Sequence, residues 1–432
     1  MADSFVGLLG FVLALALIAF GVPVALSLGF VGLAGYAFLN GVPSALFIIG
    51  SGPFEAIFPY SLSVIPLFLM MGVFSSRCGL SKDLFQAANA LVGRFRGGLA
   101  MATICACAGF GAICGSSLAT VATIGHVALP EMRRAGYDDR LSSASIAAGG
   151  TLGVMIPPSI LLIIYGLLTE QSIGKLFSAA IIPGLLATGL YAACVAISVR
   201  LNPKLVGEVP SASESSCWKS LRKAWPVALM FAVVIGGIQA GIFSPTEAAA
   251  VGAAGAVLLA LGKGSLDRLS LVSAMRETVQ LTGMIFFIII GAALFNFFIE
   301  TTGMPQYLIA TVEESGLPAF SVLLVIILFY LVLGCFMDSM SMIMLTIPFV
   351  FPLVSALGFD PIWFGILVVT VAELGLITPP VGMNLFVMQG VARDLNSVTV
   401  MRGIVPFILA DAVRLVLLIF VPALTLYLPS LL

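Results

Sequence analysis

Residues 114–125 read CGSSLATVATIG, a run of small and hydroxyl residues inside an interval, 97–130, that contains no Asp, Glu, Lys or Arg. A plain bilayer span favours Leu and Ile, so Ser116, Ser117 and Thr120 bring oxygen atoms to a place where lipid requires none. Gly115 marks a helix break. Two physical reasons put such residues together. Small side chains let helices approach closely. Hydroxyls and freed carbonyls beside a break also form neutral oxygen donors, which suit a hard, weakly held cation such as sodium better than a transition metal.

The rest of the chain fixes the class. Of 432 residues, 60% are hydrophobic and only 9% charged, against roughly 25% charged in a soluble domain. This composition identifies an integral, all-α polytopic membrane protein. The uncharged intervals 56–76, 141–169, 176–199, 224–246, 278–299, 315–337 and 415–432 mostly reach the length of about 20 apolar residues that crosses a bilayer. Together they predict roughly ten to twelve spans, with some segments entering without crossing. The net charge of −1 gives no sign of nucleic-acid binding. The 7 cysteines are scattered, and Cys105 and Cys107 have neither CxxC spacing nor a histidine partner, so no zinc or redox site is expected. A lone histidine, with no HExxH or GxSxG, leaves an enzyme nothing to build on. The N-terminal MADSFVGLLG lacks a basic n-region, so the first apolar run is expected to be a retained span.

Basic residues set the expected orientation. Arg94 with Arg96, Arg133 with Arg134 and Arg140, the stretch 200–223, and Lys263 with Arg268 and Arg276 lie between apolar runs and predict cytoplasmic loops. The loops at 200–223 and 263–276 enclose a hairpin whose turn, SPTEAAA (244–250), faces outside. There Ser244, Pro245 and Glu247 spell a capping box. His126 reads as a polar group at a helix end. Glu373 interrupts an apolar stretch and either holds an ion or bonds across helices.

The polar segment 202–220 divides two apolar halves. A shift of about 222 residues lays Pro157-Pro158 onto Pro379-Pro380, Ser116-Ser117 onto Asp338-Ser339, and Pro130 onto Pro352. Upstream, RCGLSKDL (77–84) aligns with TTGMPQYL (301–308) after a slip of about two. A duplicated order of Ser-rich break and Pro-Pro break is the pattern of a secondary transporter built from repeats. Thr378 and Asn384 flank backbone that cannot stay helical at Pro379 and Pro380, and Asp338 sits between two uncharged runs, where an ionisable group is functional by default.

At this point the motifs carry a family resemblance. GSSLAT (115–120), GGTLGVMIPPS (149–159), SPTEAAAVGA (244–253) and LGLITPPVGMNLFV (374–387) resemble the large membrane subunit of tripartite ATP-independent periplasmic (TRAP) transporters, over essentially the whole chain. The resemblance implies the inverted-repeat ion-transporter fold, with two re-entrant hairpins, broken helices, a scaffold and an elevator-type transport domain. It implies scaffold spans over 1–80, a first repeat core over 81–200, a cytoplasmic linker over 201–223, scaffold spans and a surface helix over 224–299, a second repeat core over 300–400, and a terminal span over 401–432. Na+ would be the coupling ion. The first sodium site would use Ser116, Ser117 and Thr120 with Gly149, Thr151 and Pro157; the second would use Asp338 and Ser339 with Gly375, Thr378 and Pro379. Substrate would bind between the tips, near Ser116, Ser117, Asp338 and Asn384. The implied activity is import of an organic acid anion (a C4-dicarboxylate, keto acid, sugar acid or sialic acid) across the bacterial inner membrane. An extracytoplasmic binding protein would deliver it. The chain starts near its first large-subunit span, so the small four-helix membrane subunit is expected as a separate polypeptide. The alternative is a stand-alone sodium/anion symporter or antiporter of the same superfamily.

Overall fold

Glycine and proline cut this apolar chain into helices. The structure, a computed structural model, describes residues 2–207 and 217–431, and every regular element among them is helical. The first apolar runs form α1 (Ala2–Ala19), α2 (Val24–Asn40), α3 (Val42–Ile57) and α4 (Val64–Arg77). Gly79, at φ +72°, turns the chain into α5 (Leu80–Val92). A hairpin of α6 (Gly98–Cys114) and α7 (Ser117–Arg134) follows, then α8 (Asp139–Met155), α9 (Ile160–Leu168) and the long α10 (Ile173–Leu201). The middle of the chain holds α11 (Cys217–Gln239), α12 (Pro245–Gly262) and α13 (Arg268–Thr301). The second series is α14 (Met304–Ser315), α15 (Ala319–Gly334), α16 (Ser339–Ala356), α17 (Pro361–Ile377), α18 (Met383–Val391), α19 (Ser397–Phe420) and the single turn α20 (Ala423–Leu426).

Among the described residues, seven helices are long and apolar enough to cross a bilayer, or eight if α8 and α9, bent by 42° at their break, form one span. The larger number expected from uncharged intervals reflects six apolar helices of 10–17 residues, α6, α15 and α17 among them. Composition there is spanning, but Gly115 and the Pro-Pro pairs end the helices early.

Two expected boundaries move. The segment 201–223 is not linker throughout, because α11 begins at Cys217. Trp218 and Trp225 are exposed on that helix beside Arg222 and Lys223, the mixture that settles a helix end at a membrane surface. Residues 208–216, the most polar part of the expected linker, lie outside the described residues. The expected bound between 299 and 300 falls inside one continuous helix, α13, of 34 residues. The capping box on α12 forms as read: Ser244 Oγ accepts from the Glu247 amide, and Glu247 accepts from the Ser244 amide.

Helix α13 packs on α2, α3 and α4, and α4 also packs on α12. The contact with α2 is backbone against backbone. A Cβ on Gly32 would lie 2.5 Å from the Phe295 nitrogen, and one on Gly291 would lie 2.3 Å from the Ala25 carbonyl oxygen. Without a hydrophobic drive between helices in lipid, such close approach supplies the dispersion contact that holds them. At the ends of these helices Arg77 pairs with Glu277 at 2.6 Å, and Lys263 pairs with Asp83.

A second apolar core gathers α5 to α8 and α10. Leu374 and Ile377 of α17, Leu385 and Met388 of α18, and Ile404 and Phe407 of α19 are packed within it. The C-terminal helices thus complete the interior of the first half.

Candidate functional site

The first tip is built by capping. Gly115, at φ +63°, ends α6 and donates its N–H to the Gly111 carbonyl at 2.9 Å. Ser116 takes the extended conformation that starts α7, and its hydroxyl accepts from the Ala119 amide. Thr120 donates its hydroxyl to the Ser116 carbonyl at 2.7 Å. This tip lies against α8 and the break that follows it. Helix α8 stops at Met155 because Pro157 and Pro158 lack N–H groups. Chain direction is restored at Ser159, which caps α9.

Small residues make the approach possible. A Cβ on Gly153 would lie 2.5 Å from Thr120 Oγ1 and 2.8 Å from the Ser116 carbonyl oxygen, and one on Gly111 would lie 2.3 Å from Gly153 Cα. A Cβ on Gly150 would meet Val121 at 2.2 Å and the Ser117 carbonyl at 3.2 Å. The Ser116 and Ser117 carbonyls and the Thr120 hydroxyl therefore face α8, and the Pro158 carbonyl faces Gly115. This is a donor set of neutral oxygens that fits a hard monovalent cation.

The second tip is assembled in the same way. Asp338 caps α16, with Oδ2 accepting from the Ser341 amide at 3.0 Å and Oδ1 accepting from the Ser341 hydroxyl. Helix α16 packs on α17, at whose end Thr378 donates its hydroxyl to the Leu374 carbonyl at 2.6 Å before Pro379 and Pro380. Gly334 and Gly375 are in backbone contact here: a Cβ on Gly375 would lie 2.5 Å from Gly334 Cα. Both Pro-Pro peptide bonds, Pro157-Pro158 and Pro379-Pro380, are cis.

The two tips converge through α17 and α18. Asn384, completely buried, hydrogen-bonds Ser117 through an amide nitrogen 2.9 Å from the hydroxyl, and donates to the Ala147 carbonyl at 3.0 Å. Ser339 donates to Glu373 Oε1 at 3.2 Å. Ser116, Ser117, Thr120 and Asn384 thus stand together, while at the other tip Ser339 reaches Glu373 and Gly375 packs on Gly334.

Several expected residues also make other contacts. Gly149 faces Cys107, since a Cβ there would lie 2.8 Å from the sulfur, so Gly150 and Gly153 are the glycines that meet the tip. The Thr151 hydroxyl bonds the Ala148 carbonyl at 2.7 Å and lies 3.1 Å from the Tyr191 hydroxyl. Both Asp338 oxygens are engaged by Ser341. Each of these oxygens keeps a second lone pair, so the cap leaves Asp338 able to meet a cation.

A buried polar chain runs on from Thr151. Tyr191 donates to Asp411 Oδ2 at 2.5 Å, and Asp411 Oδ1 lies 2.9 Å from Arg414 Nη2. Both charged residues are on α19 and fully buried. The sequence reading passed over this pair, though Asp411 and Arg414 at i and i+3 in an apolar helix form the kind of intramembrane ionisable pair that marks function or specificity. Among the described residues no three His, Cys, Asp or Glu side chains cluster as metal ligands.

Comparison with known proteins gives the family. The family profile described as "Tripartite ATP-independent periplasmic transporter, DctM component" matches residues 11–424. The chain is 40% identical over 378 residues to the C4-dicarboxylate TRAP transporter large permease protein DctM of Pseudomonas aeruginosa, covering 87% of this chain and 88% of that one. It is 33% identical over 439 residues to the sialic acid TRAP transporter large permease protein SiaM of Vibrio cholerae, covering 100% and 99%. Among solved structures, the Alcanivorax borkumensis YdaH transporter aligns with a TM-score of 0.66 at 15% identity, over 89% of this chain and 91% of that one. That likeness speaks to the fold alone.

Proposed function

We propose that this chain, which belongs to the DctM component family of the tripartite ATP-independent periplasmic transporters, imports an organic acid anion across the bacterial inner membrane by coupling to sodium. Family membership makes it a transporter permease subunit and not an enzyme. The single observation that carries the finer reading is the convergence of the two hairpin tips, one through Ser117 on Asn384 and the other through Ser339 on Glu373. Alternating access needs a site near mid-membrane where two broken segments meet, and this is where the oxygen donors of both halves come together.

In this reading Ser116, Ser117 and Thr120, with the carbonyls from Gly149 to Pro157 opposite, would hold one sodium ion. Asp338 and Ser339, with the backbone at Gly375, Thr378 and Pro379, would hold another. A bound cation would supply positive charge at the tips, where an anionic substrate could be held without burying an unpaired charge. Asn384 fixes the hydroxyl of Ser117, and the amino ends of α7 and α16 offer N–H groups to a carboxylate. The two sets α5–α9 and α14–α18 are read as inverted repeats that move together as an elevator against α1–α4 and α11–α13. Relatives named for C4-dicarboxylate and sialic acid make a carboxylate anion the favoured cargo. A periplasmic binding protein would deliver it, and a small four-helix membrane subunit would pack on the scaffold.

Reconstitution tests this directly. The chain with its small subunit in proteoliposomes should take up the acid only with both an inward sodium gradient and the cognate binding protein. Uptake that ignores the binding protein would establish the stand-alone symporter instead. In the same assay, Ser117→Ala and Asp338→Ala should raise the sodium needed for half-maximal uptake, and normal sodium dependence in both would overturn the ligand assignment.

A further inference from the structure

A cavity of about 450 Å³ shares no residue with either hairpin tip. Its walls come from α13, from the turn Tyr60–Ser63 that precedes α4, from α9 and from α16. On α13 the lining residues Ile289, Ala292, Ala293, Asn296 and Glu300 fall at the three- and four-residue spacing of a single helix face. That face is apolar over its first turns and polar at its end. Leu167 of α9 with Ile347 and Phe351 of α16 complete the apolar part. Among the described lining residues only Ser61, Asn296 and Glu300 are polar, and Glu300 carries the one charge. Asn296 donates its amide to Glu300 Oε1 at 2.9 Å, and Glu300 is exposed. A hydrocarbon groove that ends on a carboxylate suits an amphiphile with a cationic head and disfavours an organic anion.

We propose that this cavity seats one acyl chain of a membrane phospholipid whose headgroup carries an ammonium, with that ammonium against Glu300. Depth in the bilayer supports the match. Arg276 is one of the basic residues expected at the cytoplasmic face, and the roughly 36 Å of helix from there to Glu300, at about 1.5 Å per residue, crosses a hydrocarbon core of about 30 Å. Glu300 therefore stands at the outer headgroup level. Phe54, Phe58 and Tyr60, beside the cavity mouth in sequence, are exposed, as aromatic residues at a membrane–water boundary are. Within a bilayer an acyl chain gains nothing by leaving water, so its retention rests on packing in the groove and on the charge pair at the mouth. An anionic headgroup with no cation meets Glu300 as a like charge. The seated chain touches α13 as well as α9 and α16, the two sets that the elevator reading puts in relative motion; binding itself does not depend on that reading.

Photolabelling tests the site without transport. The chain with its small subunit is reconstituted in phosphatidylglycerol vesicles doped with a phosphatidylethanolamine or a phosphatidylglycerol whose acyl terminus carries a diazirine, and labelled peptides are mapped by mass spectrometry. In the wild type the phosphatidylethanolamine probe should label peptides containing 289–300 and 344–352 roughly two- to fivefold more than the phosphatidylglycerol probe, the worth of an exposed ion pair. Glu300→Gln keeps the shape and removes the charge, and should bring the two probes level. Ala293→Trp fills the groove and should reduce labelling of 344–352 to that of the exposed face of α11 around Leu229. Equal labelling by the two probes in the wild type, or a preference that survives Glu300→Gln, overturns the proposal. Labelling of 344–352 unchanged in Ala293→Trp means ordinary surrounding lipid and also overturns it. Absence of labelling in the complex, with labelling in the chain alone, makes the cavity a seat for the small subunit instead. Should Ala293→Trp fail to fold, Glu300→Gln decides.

Discussion

Replacing Gly153 by alanine adds one methyl group between α8 and the first hairpin tip. That methyl would sit 2.5 Å from Thr120 Oγ1 and 2.8 Å from the Ser116 carbonyl, whereas ordinary contact begins at 3.4 Å. The tip must therefore withdraw by about 0.9 Å, the difference between 2.5 and 3.4 Å. Retreat is resisted because Ser117 is tied to Asn384 on the far side of the tip. Overpacking of this kind costs about 1–3 kcal/mol. If the whole cost falls on the closed, ion-holding arrangement, sodium affinity drops roughly 5- to 150-fold. The assay is sodium-dependent melting of the purified complex, with Gly189→Ala on α10 as control. That methyl meets no atom within 4 Å, so it should leave the sodium midpoint alone. Equal sodium midpoints for Gly153→Ala and wild type would refute the view that this glycine contact shapes the ion site.

Three further outcomes follow from the same geometry. Arg414→Met strands Asp411 as a buried, unpaired charge and should destabilise by about 3–5 kcal/mol; thermal melting reads the loss, and adding Asp411→Leu should recover much of it, while additive losses would mean that the two residues are not a pair. Asn384→Ala removes the amide that holds Ser117 and bares the Ala147 carbonyl, a loss of about 1–3 kcal/mol together with impaired uptake; an unchanged melting curve would sink it. Arg133, bonded to Asp394 at 2.8 Å, holds that carboxyl below its ordinary value of 3.8. A depressed folded value means the contribution is fully present above the ordinary value and lost as pH falls through the lower one. The acid-induced drop in melting temperature should then be smaller in Asp394→Asn than in wild type, and parallel curves would show that the pair contributes nothing.

Breaks were legible in the sequence because their causes are local. Gly115 followed by Ser116, and the two Pro-Pro pairs, terminate and restart helices through their own backbone chemistry. The closure of Asp338 on Ser341 was also available, as an Asp with a hydroxyl three residues on, the spacing of a reciprocal cap. Helical phase was not legible. In AAGGTLG (147–153) no polar stripe marks which side of the helix meets the tip, and one residue turns a helix face by about 100°. Partners far apart in the chain were hidden too. Tyr191 and Asp411 are separated by 220 residues and Ser117 and Asn384 by 267, and nothing in either neighbourhood announces the other. Glu373 showed as an anomaly in an apolar helix, but its contact with Ser339 depends on how the second hairpin packs.

The interior of the first half borrows Leu385, Met388, Ile404 and Phe407 from the far end of the polypeptide. During synthesis those residues do not yet exist when the first hairpin leaves the ribosome. At about 5–20 residues per second, the 267 residues between Ser117 and Asn384 correspond to a delay on the order of ten to fifty seconds. Throughout that interval the nascent hairpin must wait in the bilayer, or beside the insertion machinery, with its hydroxyl tip lacking its final amide partner. Productive biogenesis is therefore a late event, completed only when the last helices arrive to close over what was made first.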